Sequence, residues 1–335
     1  MQSIYNLTRN KLQEYILSIN EKKYRSEQIF DWLYKKRVRS FNDMSNLNRN
    51  IIDNLNKDYV IDDIKIIKKE IANDVIKYLF ELEDKNKIEA VIMFHNYGNS
   101  LCISTQVGCN MGCVFCESGK RKKDRNLTTS EMVLQILKVE QDSDIRISHV
   151  VLMGIGEPFD NYHNVMDFIN IINDQKGIEI GIRHITISTC GIVPKIKDLI
   201  NENIQVNLAI SLHAPNNKLR NELMPINKIY DIDLLIKTVK EYVDETNRKV
   251  TFEYILIDNL NDSIENALEL SKLIKGINCY VNLIPYNETS DDKYKRSKNI
   301  DKFMNILKQN KINVRLRREF GSNISAACGQ LRSTN

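Results

Sequence analysis

Three cysteines, Cys109, Cys113 and Cys116, stand in one short loop with three and then two residues between them. The loop follows the strand-like run from Leu101 to Val107. Thiolates are soft ligands suited to iron–sulfur clusters and to zinc. A cubane cluster usually takes four cysteines, and a structural zinc closes with four ligands. Three local thiols therefore leave one metal position open for a substrate or cofactor, or they borrow a distant ligand such as Cys102. A zinc site completed in that way is one alternative; three buried, unliganded thiols are another.

Other residues of reactive type lie further along. In Gly154-x-Gly156-Glu157 the glycines let backbone approach a ligand closely, and the carboxylate can accept a hydrogen bond from a cationic amine. A tight strand-to-helix turn is the plainer reading. Ser188 and Ser211 can anchor a carboxylate or a ribose, or simply satisfy a turn. His213 follows Ser211 closely, although a lone histidine is more often structural than catalytic. Cys328 lies among Ala326, Ala327 and Gly329; it is either inert packing or a thiol that something must approach closely. A nucleophilic cysteine works as thiolate, and Arg317 and Arg318 are near in sequence to supply positive charge. Cys102 can be core, a fourth ligand or a redox partner, and two non-cluster thiols at one mouth allow a transient disulfide. Glu89, in an otherwise apolar run, can act as a base if buried; the alternation alone favours an outward-facing position. Cys190 and Cys279 read as packing.

These residues need elements to hold them. Residues 1–60 read as short amphipathic helices, with Leu12, Ile16 and Ile19 and then Ile29, Trp32 and Leu33 at helical spacing. Residues 61–100 carry strand-like runs around Val60–Ile67, Val75–Phe80 and Ile88–Phe94, expected to extend the sheet that bears the cysteine loop. From residue 101 to 315 strands and helices alternate. Strands are expected at 101–107, 149–153, 183–188, 205–211, 251–257 and 280–284, and helices near 130–141, 162–174, 195–202, 231–245, 262–274 and 299–310. This pattern predicts an α/β fold, an open partial (βα)6 TIM-like barrel, with a doubly wound sheet as the alternative. Chemistry belongs at the carboxyl ends of such strands. The cysteine loop, Gly154–Pro158, Ser188–Gly191, Ser211–His213 and Pro285–Asn287 all fall there. Residues 316–335 form a C-terminal segment carrying Cys328.

The chain has 335 residues, 42% of them hydrophobic and 27% charged, an ordinary globular composition. No apolar run approaches a membrane span and the N-terminus lacks a signal-peptide core. Seven cysteines, three of them clustered, argue for a reducing compartment rather than a disulfide scaffold. The net charge of +4 is small. Basic groups nonetheless gather at Lys120–Arg125, Lys293–Lys298 and Arg315–Arg318, which suits a phosphate-rich partner if they flank an active site.

The spacing of Cys109, Cys113 and Cys116, with an aromatic residue before the last, resembles the radical S-adenosylmethionine (SAM) superfamily. Added to Cys102–Cys109, Arg125–Leu127, Gly154–Pro158, Ser188–Thr189, Ile210–Pro215, Met224–Asn227, Asn282–Pro285 and Ala326–Leu331, it makes nearly the whole chain similar to the RlmN/Cfr-type radical SAM RNA methyltransferases. The resemblance implies a [4Fe–4S] cluster on Cys109, Cys113 and Cys116, and SAM, two per turnover, contacted by Gly156, Glu157, Ser188, Ser211, Leu212, His213 and Asn287. It implies that Cys328 is methylated by one SAM and that a second is cleaved to a deoxyadenosyl radical. That radical takes a hydrogen from the methylated cysteine, whose methylene then adds to an RNA adenine. Cys102 would resolve the resulting adduct through a disulfide with Cys328, and Glu89 would be the general base. The partners implied are 23S rRNA and in some members tRNA, with a flavodoxin- or ferredoxin-type electron donor. A cytoplasmic monomer is expected. The glutamate–proline pair at 157 and 158 resembles the branch that methylates adenine C2; the Cfr branch methylates C8 and confers antibiotic resistance. Glu117, the basic run at 120–123 and Ile155 depart from the family pattern. Two rival classes are a zinc-stabilised RNA-binding protein and an electron-transfer protein.

Overall fold

The computed structural model describes residues 1–287, 293–321, 324 and 326–331. Of the expected C-terminal segment, positions 322, 323, 325 and 332–335 lie outside the described residues.

At the N-terminus, strand β1 (Gln2–Ser3) pairs with β2 (Tyr59–Val60) and so brackets helices α1 (Arg9–Ser18), α2 (Arg25–Phe30) and α3 (Arg49–Asp58). Thr8 and Asn48 start α1 and α3 by accepting a hydrogen bond from the third residue onward, Lys11 and Ile51. Leu12, Ile16, Ile29, Phe30, Ile51 and Leu55 form the buried face of these helices. Ser3 hydrogen-bonds Asp62 and Ser130, which ties the helical unit to the rest of the chain.

Strands β3 (Lys65–Ala72), β4 (Val75–Glu81), β5 (Lys87–His95) and β6 (Gly98–Cys102) follow as an antiparallel meander. The expected strand at 60–67 is in fact the end of β2 and the start of β3, with 61–64 between them. The expected strand at 101–107 also divides. After Cys102 the chain leaves the ladder: Ile103 still bonds to Val151 of the neighbouring strand, but the Ser104 amide turns to the Gln135 side chain and the Thr105 amide to the Ile155 carbonyl. Beyond this bend lie the short pair β7 (Gln106–Val107) and β8 (Arg125–Asn126), which flank the cysteine loop.

Strands β9 (His149–Leu152), β10 (Ile185–Thr189), β11 (Asn207–Ser211), β12 (Val250–Leu256), β13 (Cys279–Pro285) and β14 (Val314–Leu316) run parallel to one another and to β6. Between them come helices α4 (Thr129–Ser143), α5 (Tyr162–Asn173), α6 (Val193–Asn201), α7 (Asn217–Leu223), α8 (Ile232–Thr246), α9 (Ile264–Leu273) and α10 (Ile300–Gln309). The short β14 and α7 were not expected. Three residues with an arginine in the middle, and one helical turn or two with little apolar periodicity, carry no pattern strong enough to read.

One ten-stranded sheet results, ordered β14-β13-β12-β11-β10-β9-β6-β5-β4-β3. Its parallel strands are in chain order without reversal, which excludes a doubly wound sheet with a switch point. The sheet curves: Ser100, Thr186, Asn207, Thr251 and Asn282, from five different strands, line a single cavity of about 1150 Å³. The two edges, β14 and β3, do not meet, so the architecture is an open partial barrel.

Candidate active site

The cysteine loop leaves β7 through Gly108, whose φ of +74° suits glycine and whose missing Cβ would sit 2.3 Å from the Lys122 carbonyl. The Cys109 amide donates to Arg121 O at 2.9 Å and the Val114 amide to Leu223 O at 3.1 Å. Phe115 turns inward and meets the His213 ring edge-on, with centroids 4.7 Å apart. All three sulfur-bearing residues reach the wall of one cleft enclosing about 820 Å³.

Burial pushes the Cys109 thiol up to about 12 and raises Cys113 and Cys116 above the ordinary thiol range; at Cys113 the neighbouring thiols add to the effect. Thiols in such surroundings ionise when a cation compensates them. Among the described residues no three His, Cys, Asp or Glu side chains converge on a single-ion position. Three thiols on the wall of one cleft form a soft donor set of the kind that holds an iron–sulfur cluster.

The carboxyl ends of β9, β10 and β11 supply the opposite wall. Gly154 abuts the Ile103 carbonyl, where a Cβ would stand at 2.5 Å, and Gly156 has φ +109° with Gln106 where its Cβ would be. This closeness brings main chain, not side chain, to the cleft. Glu157 is buried, 4% exposed. One of its oxygens accepts from the Phe159 amide at 3.0 Å and the other from the Cys190 amide at 2.8 Å. Burial raises its pKa above the usual carboxylate range, against the pull of those amides. A buried carboxylate beside glycine backbone suits an ammonium group.

Ser188, Ser211 and His213 line the same cleft. His213 holds a left-handed φ of +58°. Its Nδ1 lies 3.0 Å from the Ile255 amide and accepts that proton, which leaves Nε2 as the N–H of the neutral ring. Burial pushes its pKa down to about 3. Leu212 is fully buried and its amide donates to Glu253 O at 3.1 Å. Asn287 lies at a smaller neighbouring cavity, where its Nδ2 donates to the Cys328 carbonyl at 3.2 Å.

Cys328 and Gly329 reach this cleft from the far end of the chain, beside Arg317. The Arg317 guanidinium stands 3.7 Å from a Glu253 oxygen and within 3.6 Å of the Met153 sulfur. Burial works against its charge, but the proximity of Cys328, Glu253 and Cys102 more than offsets this, so its pKa is raised. Cys102 is a free thiol, pushed up to about 12 by burial and next by the proximity of Cys328.

One reading needs correction. Glu89 does not face outward: it is 1% exposed, with Lys77 Nζ 3.5 Å from its carboxylate. Val91 pairs with Cys102 across β5 and β6, and Glu89, two residues from Val91, shares their face. Glu89 does not itself line the cleft. Cys190 packs in a core cluster with Phe115, as expected, and it also lines the cleft and gives its backbone amide to Glu157. Cys279 is buried in the main core, as expected.

Some site residues were not foreseen. Arg220 is fully buried on α7 and donates to the carbonyls of Cys190 at 2.6 Å and of Ser211 and Leu212 at 3.3 Å each. Glu253 sits between the cleft and the inner cavity, held by Asn282 Nδ2 at 2.9 Å. A charged residue in the apolar run of β12 was the available signal. Of the basic groups, Lys123 pairs with Asp160, Arg125 with Asp84 and Glu131, and Arg296 with Glu319. These charges serve the fold as well as any partner.

Residues 103–271 match the model of the radical SAM superfamily, and residues 2–61 match that of the ribosomal RNA large subunit methyltransferase N-terminal domain. A probable dual-specificity RNA methyltransferase RlmN of Spiroplasma citri is 54% identical over 100% of this chain and 98% of its own length. Its counterpart in Acholeplasma laidlawii is 52% identical over 99% of both. The crystal structure of a radical SAM methyltransferase from Sphaerobacter thermophilus superposes with a TM-score of 0.93 at 39% identity, covering 100% of both chains. With a three-thiol loop, a glycine–glutamate cradle and a partial barrel already in place, the chain belongs to the RlmN-type family of radical SAM methyltransferases, which use a [4Fe–4S] cluster and SAM.

Proposed function

We propose that this protein methylates C2 of an adenosine in 23S rRNA and also an adenosine in tRNA. Its relatives are probable dual-specificity RNA methyltransferases, which supports two RNA substrates. The carrying observation is that Cys328 shares one cleft wall with Cys109, Cys113 and Cys116.

An aromatic C–H carbon is too weak a nucleophile for polar methyl transfer, so the cofactor carries the hard chemistry. Cluster and SAM together supply a methyl group and a carbon-centred radical. In this reading Cys109, Cys113 and Cys116 hold the cluster. Glu157 and the Gly156 backbone take the ammonium of SAM, and Ser188, Ser211, Leu212, His213 and Asn287 complete its site. Cys328 bears the one-carbon unit as a thioether and delivers it to the base. Glu89 accepts the proton leaving the ring carbon. Cys102, once it gives up its proton, attacks the Cys328 sulfur and forms a disulfide; the sulfur–carbon bond breaks with its electron pair left on the RNA-borne methylene carbon, which takes up a proton and becomes the methyl group. A target base has to leave its stack to reach this cleft. A flavodoxin- or ferredoxin-type donor and a cytoplasmic setting complete the proposal; seven cysteines without a disulfide among them support a reducing compartment.

The test is mass spectrometry of rRNA and tRNA from cells with and without the gene. The expected product is 2-methyladenosine that disappears with the gene. Gene-dependent 8-methyladenosine would move the protein to C8 chemistry, and no gene-dependent methyladenosine would overturn the proposal.

A further inference from the structure

The cysteine loop and the Cys328 segment meet through hydrogen bonds that no side-chain motif announced. Three carbonyls around Cys328 are engaged. Cys328 O accepts from Asn287 Nδ2 at 3.2 Å, Gly329 O from the Glu117 amide at 2.8 Å, and Leu331 O from Ser118 Oγ at 2.7 Å. Two of these donors belong to the residues that directly follow Cys116. Ser118 is buried, 6% exposed, so its hydroxyl bond is made away from solvent. Gly329 holds φ +84° and lies so close to the cysteine loop that an added Cβ would be 3.4 Å from Phe115 O. On the other side, Ala326 and Leu331 pack on Val75, Val91 and Ile155.

The segment thus rests on the sheet by a small apolar contact and hangs from the cysteine loop by its backbone. Each neutral hydrogen bond of this kind is worth little net, which suits a segment that has to be placed and released. The Glu117-Ser118-Gly119 stretch, a departure from the family pattern at its first position, has a structural part here. The Glu117 side chain turns to Lys120 at 3.0 Å, which leaves its amide to the Gly329 carbonyl.

We propose that Ser118, together with the Glu117 amide, is the dock for the Cys328 segment, and that the Ser118 hydroxyl is a positioning residue setting where the Cys328 thiol stands against the cluster loop. This rests on the reading of Cys328 as carrier. The Ser118 hydroxyl also faces the Cys116 thiol and Ser118 lines the cleft, so the consequence of removing it is read at Cys328 with Cys116 labelling followed beside it.

The experiment compares metal-free wild-type protein with Ser118→Ala and Ser118→Thr, treated with N-ethylmaleimide. Labelling of the Cys328 peptide is followed by mass spectrometry. Ser118→Ala is expected to speed Cys328 labelling about fivefold, the weight of one net hydrogen bond, while Ser118→Thr labels like wild type. In reconstituted enzyme, Ser118→Ala is expected to lower methyl-Cys328 formed per deoxyadenosine released, and Ser118→Thr to restore it. Unchanged labelling in Ser118→Ala, or equal labelling of the Ala and Thr variants, would overturn the dock. If Ser118→Ala does not fold, Ser118→Val against Ser118→Thr isolates the hydroxyl at constant shape. Wild-type enzyme that never methylates Cys328 would sink the carrier reading while the labelling comparison still decides the dock.

Discussion

At Cys328 a guanidinium and the backbone of the cysteine loop meet around one thiol. Replacing that thiol with Ala is expected to abolish RNA methylation while SAM cleavage continues, read as deoxyadenosine without methyladenosine; normal turnover would end the covalent mechanism. Cys102→Ala is expected to trap an RNA-crosslinked protein visible by denaturing gel, because no thiol remains to cleave the adduct; absence of the crosslink would remove the resolving role. His213 gives a pH prediction. Its folded pKa of about 3 lies below the ordinary histidine value near 6.5. The unfolded chain therefore takes up a proton that the folded ring refuses. The contribution is complete above about pH 6.5 and is lost as pH falls from there toward 3. In urea titrations between pH 7.5 and 5, the cofactor-free wild type should lose up to about 1.4 kcal/mol per pH unit from this group. His213→Asn, which tolerates the left-handed backbone, should show a shallower slope.

The elements of the site are joined by a few buried polar residues rather than by apolar packing alone. Arg220 on α7 binds carbonyls at the ends of β10 and β11 and Asn227 Oδ1 at 2.9 Å. Burial holds its pKa down to about 10, still well charged at neutral pH. Arg220→Met keeps much of the volume and strands several buried carbonyls, each costing on the order of 1–3 kcal/mol. A loss of about 3 kcal/mol or more in denaturant unfolding is expected, with weaker SAM binding because Ser211 and Cys190 shift. A variant as stable as wild type would show that water replaces the guanidinium. The ends of β9 depend on close backbone contact instead: a Cβ at Gly154 would fall 2.5 Å from Ile103 O.

For the whole molecule, the curved sheet makes two spaces out of one interior. The cleft at the carboxyl ends and the inner cavity share Met153, Glu253 and Arg317 as their partition. The C-terminal segment closes one side of the cleft by packing on Val75, Val91 and Ile155. No helix among the described residues is long and apolar enough to cross a membrane. Anaerobically purified protein should be brown and carry about four irons and four sulfides per chain. One zinc in colourless protein would favour the RNA-binding rival instead.

The cysteine loop was legible in the residues because its three thiols lie within one short stretch, so spacing alone brings them together. The parallel strands from β9 to β13 were legible too, since β-branched runs and glycine turns act locally. Local order could also say that reactive residues gather at strand ends. It could not say that β5 is buried on both faces: Ile88, Ala90 and Ile92 lie in the main core, while on the Glu89 face the C-terminal segment packs on Val91 and Lys77 pairs with the carboxylate. Nor could it join Ser118 to Leu331, or set Arg220 and Cys190 at the cleft, since those meetings depend on how far the sheet curves before its edges separate. What the chain settled by itself were contacts between near neighbours. Those between distant segments belong to the tertiary structure, because only the completed fold excludes water from Ser118, Arg220 and Glu89 and so makes their partners obligatory.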